Sequence, residues 1–191
     1  MHAQPIAARS SELNLERLAE GIRDSAVESA RSSLHPLLRH LEVALLGRRP
    51  DFVSTFYESL AVSVSRALSR MDSHLLAVFR FSSPGEADPA TNVPHPGMPL
   101  HLLAITDDLG ATQRLPLIGL DRALQSNLRQ LGWPRFAGSG NTRFLDINLL
   151  TPRELRRGVG YAGLFSAFYS FPHRIWLRTR ARPPGSGVGR I

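Results

Sequence analysis

Along the first third of the chain, apolar residues recur every three to four positions, the period of a helix with one buried stripe. After Ser11, the positions Leu15, Leu18, Ile22, Val27, Ala30 and Leu34 mark a first helix. Pro36 suits the opening position of a second helix, with Leu37, Leu38, Leu41, Leu45 and Leu46 apolar and Gly47 placed to end it in the left-handed conformation. Asp51 follows Pro50 and is expected to cap a third, whose stripe is Val53, Phe56, Leu60, Val64, Ala67, Leu68 and Met71. Residues 1–11 read as a flexible arm and residues 12–71 as a three-helix segment.

The period then shortens. LLAVFRF over residues 75–81 and LHLLAIT over 100–106 are apolar runs of strand length, separated by a loop over 83–99 whose five prolines exclude regular structure. Residues 107–110 read as a turn, 114–118 as a short strand, 120–131 as a helix stopped by Gly132 and Pro134, and 143–150 as a further strand. Thr151-Pro152-Arg153-Glu154 holds a capping threonine, a proline at the first helical position and a glutamate three residues after the cap, which together start a helix. The aromatic-rich 161–171 reads as a core-packing helix, with Gly158, Gly160 and Gly163 permitting close backbone contact. Over 173–182 (HRIWLRTRAR) a strand would put Ile175, Leu177, Thr179 and Ala181 on one face. Arg174, Trp176, Arg178, Arg180 and Arg182 would share the other. The predicted fold is a single α+β domain over residues 12–182, with the N-terminal three-helix segment packed on a small mixed or antiparallel sheet held within 74–182. Residues 183–191 read as a disordered tail.

Charge sharpens this picture. All 23 basic residues are arginine, and the chain has no lysine and no cysteine. Without an ε-ammonium group there is no Schiff-base catalyst and no lysine-bearing phosphate loop. Without a thiol there is no disulfide and no thiolate metal site. From residue 148 onward stand eight arginines and one acid, Glu154, an excess of +7 that equals the charge of the whole chain. Residues 1–147 are therefore neutral in sum, and the positive field belongs to the last quarter. No apolar run reaches the ~20 residues that span a bilayer. The start lacks the apolar stretch of a signal peptide, and a cytoplasmic protein is expected.

The motifs that suggest chemistry are weak. Gly158-Val159-Gly160-Tyr161-Ala162-Gly163 matches the dinucleotide string G-x-G-x-x-G, but it follows a helix start rather than a strand, and no acid comes after it to hold a ribose. None of the seven histidines forms an i, i+4 pair suited to zinc. No G-x-S-x-G elbow is present. No cofactor and no metal are expected.

The run Phe79-Arg80-Phe81-Ser82-Ser83-Pro84-Gly85-Glu86-Ala87-Asp88-Pro89, preceded by a helix and followed by an apolar strand, resembles the minimal nucleotidyltransferase fold over about residues 52–155. That resemblance implies that Ser83 matches the family's serine at the strand end and Asp146 its third metal-binding carboxylate. Ser82 stands where the family has glycine, and Asn92 and Pro94 stand where it has the paired aspartates. Two divalent ions need paired carboxylates against a triphosphate, so the resemblance implies a degenerate member whose catalysis is lost.

The arginine face of 174–182 is the strongest functional feature. Guanidinium forks grip phosphates bidentately, and an indole stacks on an unpaired base. A charged edge strand that blocks unwanted pairing, and a protein interface, are the competing readings. The expectation is a binding or adaptor subunit without catalysis of its own. It would hold an anionic partner, nucleic acid or an acidic protein surface, on Arg174, Trp176, Arg178, Arg180 and Arg182, aided by Arg156 and Arg157. One alternative is a divergent nucleotidyltransferase-like enzyme or pseudoenzyme using Ser83, Asp146 and Asp107 or Asp108. Another is a scaffold subunit that docks partners through its N-terminal helices.

Overall fold

Small residues decide how the helices meet. The inward stripe of α1 (Ile6–Ser33) is Ala19, Ile22, Ala26 and Ala30, continued by Leu34, and its short side chains let α3 (Pro50–Met71) approach closely. Serines line the seam where the two run side by side: Ser59 Oγ donates to Ser29 Oγ at 2.8 Å and Ser63 Oγ to Ser25 Oγ at 3.3 Å. The larger side chains of α3 (Phe52, Phe56, Tyr57, Leu60, Val64 and Leu68) are buried and form the centre of the core. The computed structural model describes residues 6–81, 97–113, 115–133, 143–166 and 172–178.

Helix α1 starts at Ile6, within the stretch read as a flexible arm and earlier than the start after Ser11 expected from sequence. The second predicted helix is broken: a 3-10 turn at Pro36–Leu38 is followed by one helical turn, α2 (Val43–Leu46). Its leucines explain the break, since Leu37, Leu41 and Leu45 face solvent and have no core contact to hold a longer helix. Asp51 is not the cap of α3. Arg49 occupies that position, while Asp51 sits in the first turn, accepts from Phe52 N–H at 2.9 Å and pairs with Arg49 at 2.8 Å. That hydrogen-bonded pair holds the Asp51 carboxyl below its ordinary range.

The sheet contains β1 (Leu75–Phe81), β2 (Leu100–Thr106), β3 (Leu145–Leu150) and β4 (His173–Leu177) in the order β3-β2-β1-β4. β1 pairs antiparallel with β2 and β4, whereas β2 and β3 run parallel, so the sheet is mixed. A parallel neighbour requires a crossover, and α5 (Leu117–Arg129) supplies it, burying Leu120, Ala123, Leu124 and Leu128. Of the expected strand at 114–118, the described residues 115–118 form none. The short helix α4 (Leu109–Gln113) occupies the expected turn, and Pro116 then serves as the cap residue of α5. Leu75, Val78, Leu100, Leu102, Ala104 and Leu145 face the helices. Ala77, Leu103, Ile105 and Leu150 face the other way, against α6 (Pro152–Arg157) and a 3-10 helix at Gly160–Ser166. Both faces of the sheet are covered, which is why its two central strands read as continuous apolar runs. Among the described residues, no helix is long and apolar enough to cross a membrane.

Trp133 joins the end of α5 to the start of α3. It is buried, donates from Nε1 to the Val43 carbonyl at 2.9 Å, and meets Phe52 and Phe56 edge-on at 6.1 and 4.9 Å. Gly47 touches the same indole. Its φ is −62°, so it is right-handed rather than left-handed as expected, and it is glycine because a Cβ there would collide with the Trp133 ring. Gly47→Ala should therefore destabilise the fold by about 1–3 kcal/mol in urea denaturation. Gly21→Ala, mid-helix with nothing within 4 Å of the new Cβ, should stabilise it by about 0.5–1 kcal/mol.

Candidate functional site

The C-terminal arginines are positioned by the crossover that leads from β3 to β4. Thr151 closes the predicted capping box: its Oγ1 accepts from Glu154 N–H at 3.2 Å, and its own N–H donates to Glu154 Oε2 at 2.8 Å. Donation to its carboxylate from the Thr151 backbone N–H, and next from the Thr151 hydroxyl at 2.8 Å, lowers the Glu154 carboxyl below its ordinary range. The single acid of this quarter is thus folded back on the start of α6. Arg156 and Arg157 stand exposed at the far end, where a cation complements the helix dipole. Gly158 ends α6 with φ of 65°, and Gly160 follows at 59°. A Cβ at Gly158, Gly160 or Gly163 would meet nothing within 4 Å. The first two glycines therefore serve backbone conformation, and the expected close packing at this string is not found.

The alternation expected across 173–182 fails at Ile175. Val78 pairs with Trp176 and Phe79 with Arg174, so Ile175 is an extra residue in β4, a bulge. Ile175 and Trp176 consequently both pack against the helix-side core, while Arg174 stays exposed on the α6 side in register with Phe79. Arg178 also differs from a free face residue. Its Nε donates to the Leu75 carbonyl at 2.8 Å and its Nη2 to the Asp72 carbonyl at 3.1 Å, with the guanidinium 5.9 Å from the Trp176 ring centroid. Trp176 and Arg178 fasten the edge strand to the junction between α3 and β1. Arg180 and Arg182 lie outside the described residues.

The residues of the alternative reading are placed as follows. Asp146 on β3 stands in register with His101 on β2, and His101 Nδ1 lies 2.8 Å from Asp146 Oδ2. Asn148 Nδ2 donates to the same oxygen at 3.4 Å, and the Phe81 ring stacks on His101 at 5.2 Å. The histidine side chain is 13% exposed and the aspartate 40%. Asp107 pairs with His74 at 2.9 Å, and the Asp108 carbonyl accepts from Thr106 and Thr112 hydroxyls. The structure does not bring Asp107 or Asp108 to Asp146: they follow β2's far end, five residues beyond His101. Among the described residues, no three His, Asp or Glu side chains gather as metal ligands. Ser83, Asn92, Pro94 and His95 lie outside the described residues. His101 was missed as the partner of Asp146 because only the parallel register, invisible in a single strand, brings the two together.

Two arginines separated by four residues thus have different roles, and substitution should tell them apart. Arg178→Met removes two charge-assisted hydrogen bonds to backbone carbonyls and should lower stability by about 2 kcal/mol in thermal or urea melts. Arg174→Ala should leave stability within about 0.5 kcal/mol of the parent. Comparison of the chain with protein-family models, with curated proteins and with solved structures finds no match.

Proposed function

We propose that this protein is a non-catalytic binding or adaptor subunit that holds an anionic partner, above all a nucleic-acid backbone, on the arginines of its C-terminal quarter. One observation carries this reading. Arg153, Arg156, Arg157 and Arg174 are exposed and make no ion pair or hydrogen bond among the described residues, while the only nearby acid in the sequence, Glu154, is held in its capping box. Unpaired guanidinium groups are always charged, weakly hydrated and shaped to take two phosphate oxygens at once. Trp176 and Arg178 act in support, by fixing the edge strand that presents Arg174.

Phosphate binding of this kind releases counterions and so weakens as salt rises. Titration of a fluorescent single-stranded oligonucleotide at several salt concentrations should give a linear fall of log K with log salt. Each phosphate contact contributes about 0.7 to the slope. Arg156→Gln, Arg157→Gln and Arg174→Gln together should flatten the slope by about 2 and leave the melting temperature unchanged. A binding constant indifferent to salt, or a triple variant with the parent's slope, defeats the proposal.

The degenerate nucleotidyltransferase reading has one observation in its favour: Asp146 stands beside the opening residues of β2, in register with His101. On that reading the protein binds a nucleotide with magnesium, and Asp146→Ala abolishes the binding. Absence of nucleotide binding with any divalent metal ends it. For protein assembly through the N-terminal helices, the supporting feature is the exposure of Leu37 and Leu45 beside α2.

A further inference from the structure

A second group of arginines lies on the opposite side of the sheet, in the helix layer. Arg17 on α1 and Arg66 and Arg70 on α3 border a groove of about 280 Å³ between the two helices, with Ser25 and Ser63 also lining it. Gly21 forms part of the groove wall, and nothing lies within 4 Å of where its side chain would begin. Among the described residues, no carboxylate lines the groove.

Three acids of α1 are engaged away from it. Glu16 accepts from Asn127 of α5 at 3.2 Å. Glu20 and Asp24 pair with Arg23, which itself reaches Asn127 and Gln130 at the end of α5. The α5 side of this helix is therefore charge-compensated and its α3 side is not. The guanidinium groups of Arg17, Arg66 and Arg70 are exposed and make no hydrogen bond or ion pair among the described residues. Arg66 and Arg70 stand one helical turn apart, a like-charge spacing that destabilises a helix. Solvated arginines on an open helix face would need neither the recess between the helices nor the exclusion of every acid from it.

We infer that this groove is a binding site for the phosphate groups of a small phosphorylated molecule. Three guanidinium groups supply bidentate donors and charge, and the Ser25 hydroxyl, which accepts from Ser63 and keeps its own proton, supplies an O–H donor to a phosphate oxygen. The volume falls just below the range of small-molecule pockets, about 300 Å³ and upward, and is too small for a duplex. The site is separate from Arg156, Arg157 and Arg174, which belong to the other face of the sheet, so it does not rest on the function proposed above.

Inorganic pyrophosphate is the probe. Titrated into the full-length protein and followed by amide NMR, it should shift residues of the 17–25 and 63–70 segments saturably. Arg66→Gln with Arg70→Gln should weaken that binding roughly tenfold or more, the loss expected for about one charge-assisted hydrogen bond. Gly21→Leu should block the groove while the melting temperature holds or rises, which separates occlusion from unfolding. Arg156→Gln with Arg157→Gln should leave pyrophosphate binding intact. Shifts that do not saturate, that survive loss of Arg66 and Arg70, or that vanish with Arg156 and Arg157 overturn the inference. So does a groove that responds to a single-stranded oligonucleotide and not to pyrophosphate, because it would then be part of a nucleic-acid track.

Discussion

The carboxylate of Asp121 fixes where β3 begins, and with it where the chain leaves for the far face of the sheet. It is buried, and its Oδ1 accepts from the N–H groups of both Phe144 and Leu145, at 3.0 and 2.7 Å. Its Oδ2 accepts from Gln125 at 3.0 Å, so three neutral donors stabilise it. These contacts tie α5 to the first residues of β3 and fix where the parallel strand begins. Leu100 N–H adds a 2.6 Å bond to the Phe144 carbonyl, and from there the register runs Leu100 with Leu145 and His101 with Asp146. A slip of one residue would turn Asp146 and Asn148 into the helix core and Ile147 toward α6. The same register brings Leu150 onto the far-face core and delivers the chain to Thr151, where the capping box starts α6.

How much of this was legible depended on whether the cause was local. The runs at 75–81 and 100–106 matched β1 and β2 to the residue, because a sheet covered on both faces demands unbroken apolar strands. The Thr151 capping box was equally visible, since all of its partners lie within four residues. Other features had distant causes. Gly47 looked like a helix terminator, yet its identity is imposed by Trp133, which is far away in sequence. The 114–118 stretch alternates like a strand, but no neighbouring strand pairs with it, and Leu117 instead opens α5. At β4 a regular Arg/Trp alternation met a bulge set by pairing with β1, and the side chains were redistributed between two faces.

Charge shows the same limit. A sum over residues 1–147 is zero, and as a sum it conceals a sorted surface. On α1, acids and Arg23 form a polar seam with α5 while Arg17 joins Arg66 and Arg70 on the α3 side. Neutral composition over a segment therefore does not mean a neutral face. The spacing of Arg66 and Arg70 was a visible signal, but its meaning needed the antiparallel packing that sets Arg17 opposite and the acids elsewhere.

In a chain whose only strong base is arginine, Arg23 and Arg49 pair with carboxylates, and the hydrogen bonds separate two further classes. Arg39 donates to the Ser32 and Leu34 carbonyls at the end of α1, Arg31 to the Leu41 carbonyl, and Arg178 to the carbonyls of Asp72 and Leu75. Each closes a place where the backbone leaves regular structure with carbonyls unpaired, and a fork with several fixed donors does this better than a single ammonium group. Arg17, Arg66, Arg70, Arg156, Arg157 and Arg174 have no such carbonyl to serve, and they fall into two groups on opposite faces of one sheet. Stability accounts for the first class. It does not account for the second, whose exposed guanidinium groups leave a positive potential on each face that nothing among the described residues offsets.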